Sequence, residues 1–329
     1  MKKIRLLISL LLLAALCLGL TGCARGGAEV VELDEELPVR VLTLNGTTGF
    51  GMASLIATAE AGETKLNYSF GVESDPSVVT AALVSGDCDI AALPTNAAAA
   101  LYNKTEGKVQ VLALNTLGVL YLLTDGSVEV NGFADLEGRT VYAPAQNPSF
   151  IFEYLCKANG VNVTIDNTYA QPAELNAAIS AGEVSLAVLP EPMVTVARAQ
   201  NADLTVALDL TAEWDKVSEP GSLVQGCVVV RTDFAAEHPA EVEEFLHDYG
   251  ASVNLLLTDA ETAAHFIEQT GIFTKAAVAA KAIPNCNACF ITGTEMQKSL
   301  SAFLQIMFET APQSIGGKLP ADDFYCILP

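Results

Sequence analysis

Residues 82–96 recur at 178–192, an offset of 96 positions. In the first copy a helix-forming run stops at Gly86, and an apolar run ending in Leu93 stops at Pro94. In the second copy the matching landmarks are Gly182, Leu189 and Pro190. A looser pairing, at an offset of 100, sets 40–50 beside 140–150. There a short extended run meets a polar loop carrying Gly or Pro, and a helix begins. Landmarks recurring in the same order point to two lobes of one topology. Such a chain must close two cores and link them, which 329 residues are enough to do.

Between these landmarks short apolar runs alternate with helical patterns, the order expected of α/β units. The pattern predicts strands over 39–44, 65–72 and 89–93, helices over 52–61, 76–85 and 95–103, and a loop over 45–51. An extended stretch at 109–124 offers one passage between lobes, and 209–230 offers a second. Two passages insert one lobe into the other. Lobe one is then 38–117 plus 225–329, and lobe two is 118–224. The C-terminal part is mainly helical, with helices expected at 239–257, 260–269, 275–281 and 295–309. The expected fold is α/β: two doubly wound lobes joined by two hinge crossings.

The first residues carry an address. Lys2, Lys3 and Arg5 precede an uncharged apolar run from Leu6 to Leu20, which ends in Leu-Thr-Gly-Cys23. This is signal-peptide composition; a membrane-spanning helix needs about 20 apolar residues, slightly more than are present. The tetrapeptide resembles the bacterial lipobox. That resemblance implies cleavage after residue 22 and lipidation of Cys23, anchoring the chain outside the cell membrane. Residues 23–37 then form an acidic tether.

The net charge is −22, and −25 once Lys2, Lys3 and Arg5 leave with the leader. Phosphate contacts need clustered Lys and Arg, so nucleic acid is excluded as a partner. Beyond Cys17 and Cys23 six cysteines remain, of which Cys88, Cys156, Cys227 and Cys326 stand alone. Cys286 and Cys289 form a lone CxxC, read as buried thiols or a local disulfide in preference to a metal or redox site. With three His residues and no HExxH, no metal centre, cofactor or catalytic residue is expected.

Ligands of open α/β sheets sit beyond the carboxyl ends of strands, where helix N-termini present unpaired amides. Four such places can be named. Gly46-Thr47-Thr48-Gly49-Phe50-Gly51 joins mobile backbone, two hydroxyls and a ring; its GxxGxG spacing is neither a dinucleotide nor a triphosphate loop. Thr95 and Asn96 follow Pro94, Gln146 to Ser149 open the next lobe's helix, and Glu191 follows Pro190. Thr, Asn and Ser at such places are also ordinary N-caps. Glu191 could receive a ligand amine or cap its own helix. No Lys or Arg lies in these loops, so an anion would rely on amides and hydroxyls.

Residues 44–49 (Leu-Asn-Gly-Thr-Thr-Gly), 89–96 (Asp-Ile-Ala-Ala-Leu-Pro-Thr-Asn), 114–116 (Leu-Asn-Thr), 187–192 (Ala-Val-Leu-Pro-Glu-Pro) and 283–287 (Ile-Pro-Asn-Cys-Asn) carry a resemblance over most of 38–329. They resemble the bacterial solute-binding proteins of the nitrate, sulfonate, taurine and pyrimidine-precursor uptake class. The resemblance implies a type II periplasmic-binding fold and a monomeric receptor with no enzymatic activity. Its ligand would be clasped near Thr47, Thr48, Gly49, Phe50, Thr95, Asn96, Asn115, Gln146, Asn147, Ser149 and Glu191. It also implies delivery of a small polar solute to the permease and ATPase of an ABC importer. A ligand sensor, or an enzyme related to pyrimidine synthesis, could use the same fold.

Overall fold

In the computed structural model of the protein, residues 33–328 are described. The leader, the lipidation site Cys23 and most of the tether lie outside the described residues. Among the described residues no helix is long and apolar enough to cross a membrane.

The first sheet begins with β1 (Pro38–Leu44), β2 (Asn67–Glu73) and β3 (Ile90–Pro94), in the parallel order β2-β1-β3. Between them run α1 (Thr47–Phe50), α2 (Ala53–Glu60) and α3 (Pro76–Ser85). Asp75 opens α3 by accepting the Ser77 amide, with Pro76 at the first helical position. Gly86 closes it in the left-handed region, φ 81°, a conformation only glycine adopts without strain. After β3 come α4 (Thr95–Thr105) and β4 (Val109–Thr116).

The chain then passes to a second sheet through Leu117–Val119. There lie β5 (Leu120–Thr124), β6 (Thr140–Tyr142), α5 (Asn147–Ala158), β7 (Thr164–Asp166), α6 (Pro172–Ser180), β8 (Leu186–Pro190), α7 (Met193–Gln200), β9 (Thr205–Asp209) and α8 (Leu210–Val217). Gly182, at φ 75°, follows α6 as Gly86 follows α3. The chain returns through residues 218–225 to β10 (Gly226–Arg231), α9 (Thr232–Glu237), α10 (Pro239–Thr258), α11 (Ala260–Gln269), α12 (Ala276–Ala282), β11 (Ala288–Ile291) and α13 (Gly293–Thr310).

The two sheets share one plan. The first runs β2-β1-β3-β10-β4-β11, with β10 antiparallel to its neighbours; the second runs β7-β6-β8-β5-β9, with β5 antiparallel. Thus β1, β3 and β4 correspond to β6, β8 and β9, and the central antiparallel strand of each sheet, β10 or β5, is the one a crossing feeds; β11 adds a second antiparallel strand at the edge of the first sheet. The 96-residue repeat falls on β3 and β8. Central strands carry the core: β3 and β8 are buried up to their final proline, and Trp214 of α8 is buried between Tyr154 and Phe303. Three details differ from the sequence reading. The glycine-rich loop contains the one-turn helix α1. The C-terminal part contributes β10 and β11 to the first sheet. The extended stretch at 109–124 is two strands, one in each sheet.

Candidate functional site

Leu117–Val119 is only three residues long. Four Cα steps of at most ~3.6 Å each keep Thr116 and Leu120 within about 14 Å. The crossing therefore holds the carboxyl ends of β4, β3 and β1 near the end of the second sheet where β8 and β9 finish. The predicted site residues lie at the ends of β1, β3, β4 and β8 and just after β6, which runs parallel to β8.

Residues 46–51 are shaped by close packing. A Cβ on Gly49 would lie 1.8 Å from the Leu44 carbonyl oxygen, and one on Gly51 would lie 2.8 Å from the Tyr249 hydroxyl. Neither position admits a side chain. Thr47 and Thr48 are half-buried on this turn, while Phe50 is buried against Phe273, ring centres 6.3 Å apart. Asn115, at the end of β4, donates from Nδ2 to the Thr48 carbonyl (3.1 Å) and accepts at Oδ1 from the Thr116 hydroxyl (3.0 Å). Its amide thus holds the turn in place.

Thr95 is fully buried, and its hydroxyl donates to the Val224 carbonyl (2.7 Å). The next residue behaves differently. Asn96 is 8 % exposed and its Oδ1 has no hydrogen-bond partner. In the second sheet's half, Asn147 stands at the start of α5, 9 % exposed, and its Oδ1 is also unpartnered. A buried polar atom without a partner costs about 1–3 kcal/mol, so one such oxygen near a helix start on each sheet calls for a ligand or ordered water. Gln146, just before, is exposed and holds φ 71°, a left-handed conformation unusual for a residue with a side chain. Ser149 is committed locally: its hydroxyl donates to the Pro144 carbonyl (2.8 Å) and accepts from Asn167 Nδ2 (2.6 Å).

Glu191 is buried, and both carboxylate oxygens face Thr195. One accepts the Thr195 amide (3.1 Å), the other its hydroxyl (3.0 Å). This geometry caps α7. Burial pushes the carboxyl above its ordinary range, partly opposed by the bonds from Thr195 and by the Arg198 charge.

Sequence reasoning passed over Gln225, Asn287 and Tyr121. Gln225 Oε1 accepts the Val119 amide (2.8 Å), Asn287 Nδ2 donates to the Gly118 carbonyl (2.5 Å), and Tyr121 donates to the Asn285 carbonyl (2.8 Å). The stretch 283–287 contains Asn287 and the Asn285 carbonyl that Tyr121 bonds, but nothing local marks their partners.

The thiols of Cys286 and Cys289 are unlinked. Burial raises both, Cys289 to about 12, so neither is a thiolate near neutral pH. Among the described residues one group approaches metal-binding geometry, Glu244, His247 and Asp248 on α10. There the Lys65 ammonium already sits on Glu244 (2.9 Å) and the Tyr68 hydroxyl on Asp248 (3.0 Å). A groove of about 1030 Å³ between α3 and α4, lined by Thr80, Val84, Ala97 and Leu101, contains none of the predicted site residues.

No family model and no curated protein matches the chain. Solved structures do. An ABC transporter structure from Parabacteroides distasonis superposes with a TM-score of 0.75 at 23% identity, over 88% of this chain and 98% of that one. The periplasmic aliphatic sulphonate binding protein SsuA of Escherichia coli gives 0.70 at 14% identity, over 89% and 94%. A Candida albicans protein described as having the generic periplasmic binding protein fold gives 0.55 at 12% identity, over 88% and 93%. The chain has the type II periplasmic-binding-protein fold.

Proposed function

We propose that this protein is an extracytoplasmic solute receptor that closes two lobes on a small polar solute and presents it to the permease and ATPase of an ABC importer. The observation that carries the reading is a buried, unpartnered side-chain carbonyl oxygen near a helix start on each sheet, Asn96 Oδ1 after β3 and Asn147 Oδ1 after β6. A solute bonded to both would satisfy two costly groups and draw the two sheets together. The lobes of this reading are 38–117 with 225–329, and 118–224. Cys23 is its lipid anchor and the protein acts as a monomer without catalysis.

Thr47, Thr48 and the strained backbone at Gln146 complete the proposed contact set. Gly49 and Phe50 shape it, and Asn115 and Ser149 hold its loops. Thr95 and Glu191 form its frame, since their polar atoms are already engaged. With no Lys or Arg in these loops, recognition falls to neutral donors, acceptors and helix ends. Both oxygens are acceptors, so solutes that donate come first: taurine, whose ammonium donates and whose sulfonate keeps the similarity to SsuA, and aminopyrimidines, followed by alkanesulfonates and nitrate as solutes without a donor for these oxygens.

The test is thermal melting of the protein, stripped by unfolding and refolding, against this panel. A solute at 100 times its dissociation constant adds about 2.7 kcal/mol, which raises the melting temperature by degrees. One solute should do this unchanged chemically, and Asn96→Ala and Asn147→Ala should each weaken it about tenfold or more. Full affinity in both variants would refute the site.

A further inference from the structure

The two passages between the sheets are bonded to each other, and one side chain makes the bond. Gln225, the last residue of the returning passage, accepts the Val119 amide at Oε1 (2.8 Å). Its own amide donates to the Thr116 carbonyl (2.9 Å), and its carbonyl accepts the Thr95 amide (3.2 Å). Beside it, the Val224 carbonyl accepts the Thr95 hydroxyl (2.7 Å). Val119 in turn accepts the Glu191 amide at its carbonyl (3.0 Å). A bonded chain therefore runs from Thr95, at the end of β3, through Gln225 and Val119 to Glu191, at the end of β8. These are the equivalent strand ends of the two sheets, and each opens onto a helix of the proposed site.

The outgoing passage has a second support of a different kind. Asn287 accepts the Leu117 amide (3.0 Å) and donates to the Gly118 carbonyl (2.5 Å). Asn287 precedes β11, so it ties the passage to the first sheet. Among the described residues Gln225 makes the side-chain hydrogen bond from passage to passage, beside the packing of Leu223 against Gly118. A Cβ on Gly118 would lie 2.1 Å from the Thr211 hydroxyl, which leaves the outgoing passage little room to move independently.

We propose that Gln225 is a positioning residue that makes the two passages turn as one hinge, carrying displacement of Thr95 across Val119 to Glu191. This rests on the closing-receptor reading, but its test needs no solute. Gln225→Leu keeps the bulk and removes the acceptor; Gln225→Glu keeps an acceptor oxygen at the same reach. Full-length protein, purified in detergent without solute, is compared by residue-resolved hydrogen exchange, by small-angle scattering and by melting temperature. In Gln225→Leu, exchange at the Val119 amide should accelerate about tenfold or more, and the scattering should report a broader range of lobe separations. Gln225→Glu should restore both toward the parent.

A residue that matters only for packing would lower the melting temperature of both variants alike, without a change confined to Val119. That result overturns the proposal, as does Gln225→Leu matching the parent in exchange and scattering. If Gln225→Leu fails to fold, Gln225→Asn, one methylene too short to reach Val119, takes its place under the same criteria. Failure of every solute in the melting panel leaves this test intact. A solute that binds to a protein whose hinge ignores Gln225 defeats this inference alone.

Discussion

At the scale of single residues, Glu191 shows what geometry adds. Its position after Leu-Pro leaves a ligand contact and a helix cap equally open; its two bonds to Thr195 favour the cap. The cap carries a pH signature. Burial raises the folded-state pKa of Glu191 above its unfolded value. Stability linked to this group is thus complete below the ordinary carboxylate range and is lost as pH rises through the raised pKa. Glu191→Gln keeps an acceptor for the Thr195 amide and does not titrate. Its melting temperature should therefore gain on the parent's as pH rises above the ordinary carboxylate range. A flat difference over that rise would show that the Thr195 bonds and Arg198 fully offset burial. Glu191→Ala, which loses the cap, should cost about 1 kcal/mol.

At the scale of elements, α13 joins what the crossings separate. It follows β11 of the first sheet in the chain, yet Phe303 packs on Trp214 of α8, ring centres 5.9 Å apart, with Tyr154 of α5 4.8 Å away on the same indole. The indole N–H donates to the Ser222 hydroxyl (2.8 Å) in the returning passage. Trp214→Ala should cost about 3–5 kcal/mol in denaturant unfolding; a loss below ~1 kcal/mol would mean that α13 does not depend on this contact. Most elements here are legible from local pattern. Pro76–Ser85 and Ala260–Gln269 match their sequence-predicted ends, because Pro76 or the Asp259 cap at the start, and Gly86 or the Thr270-Gly271 pair at the end, act within one turn. The helix α1 is hidden by the glycines around it: Gly46 supplies a backbone at φ 84°, and Gly49 and Gly51 allow close approach. The four-residue β11 is too short to declare itself and gains strand character only by pairing with β4.

At the scale of the whole molecule, charge sets the approach of a solute. A net −22 repels anions at long range, and salt screens that field within about 8–10 Å. If the solute is a sulfonate, its association rate, followed through the emission of the single tryptophan, Trp214, should rise as salt is added. A falling rate would reveal a local positive potential at the strand ends strong enough to overcome the global charge.

Sequence alone determined the repeated topology, most of the helices and strands, and the strand ends at which the solute site is proposed. All of these depend on forces acting over a few residues: hydrophobic period, capping and the left-handed freedom of Gly86 and Gly182. Tertiary structure decided which polar atoms at those ends are free. Thr95 is spent on Val224, 129 positions away, and Val119 on Gln225, 106 positions away, while Asn96 and Asn147 keep unpartnered oxygens. Hydrogen-bond partners at such separations are chosen only when the sheets close and exclude water, so no local pattern could have told a frame residue from a contact.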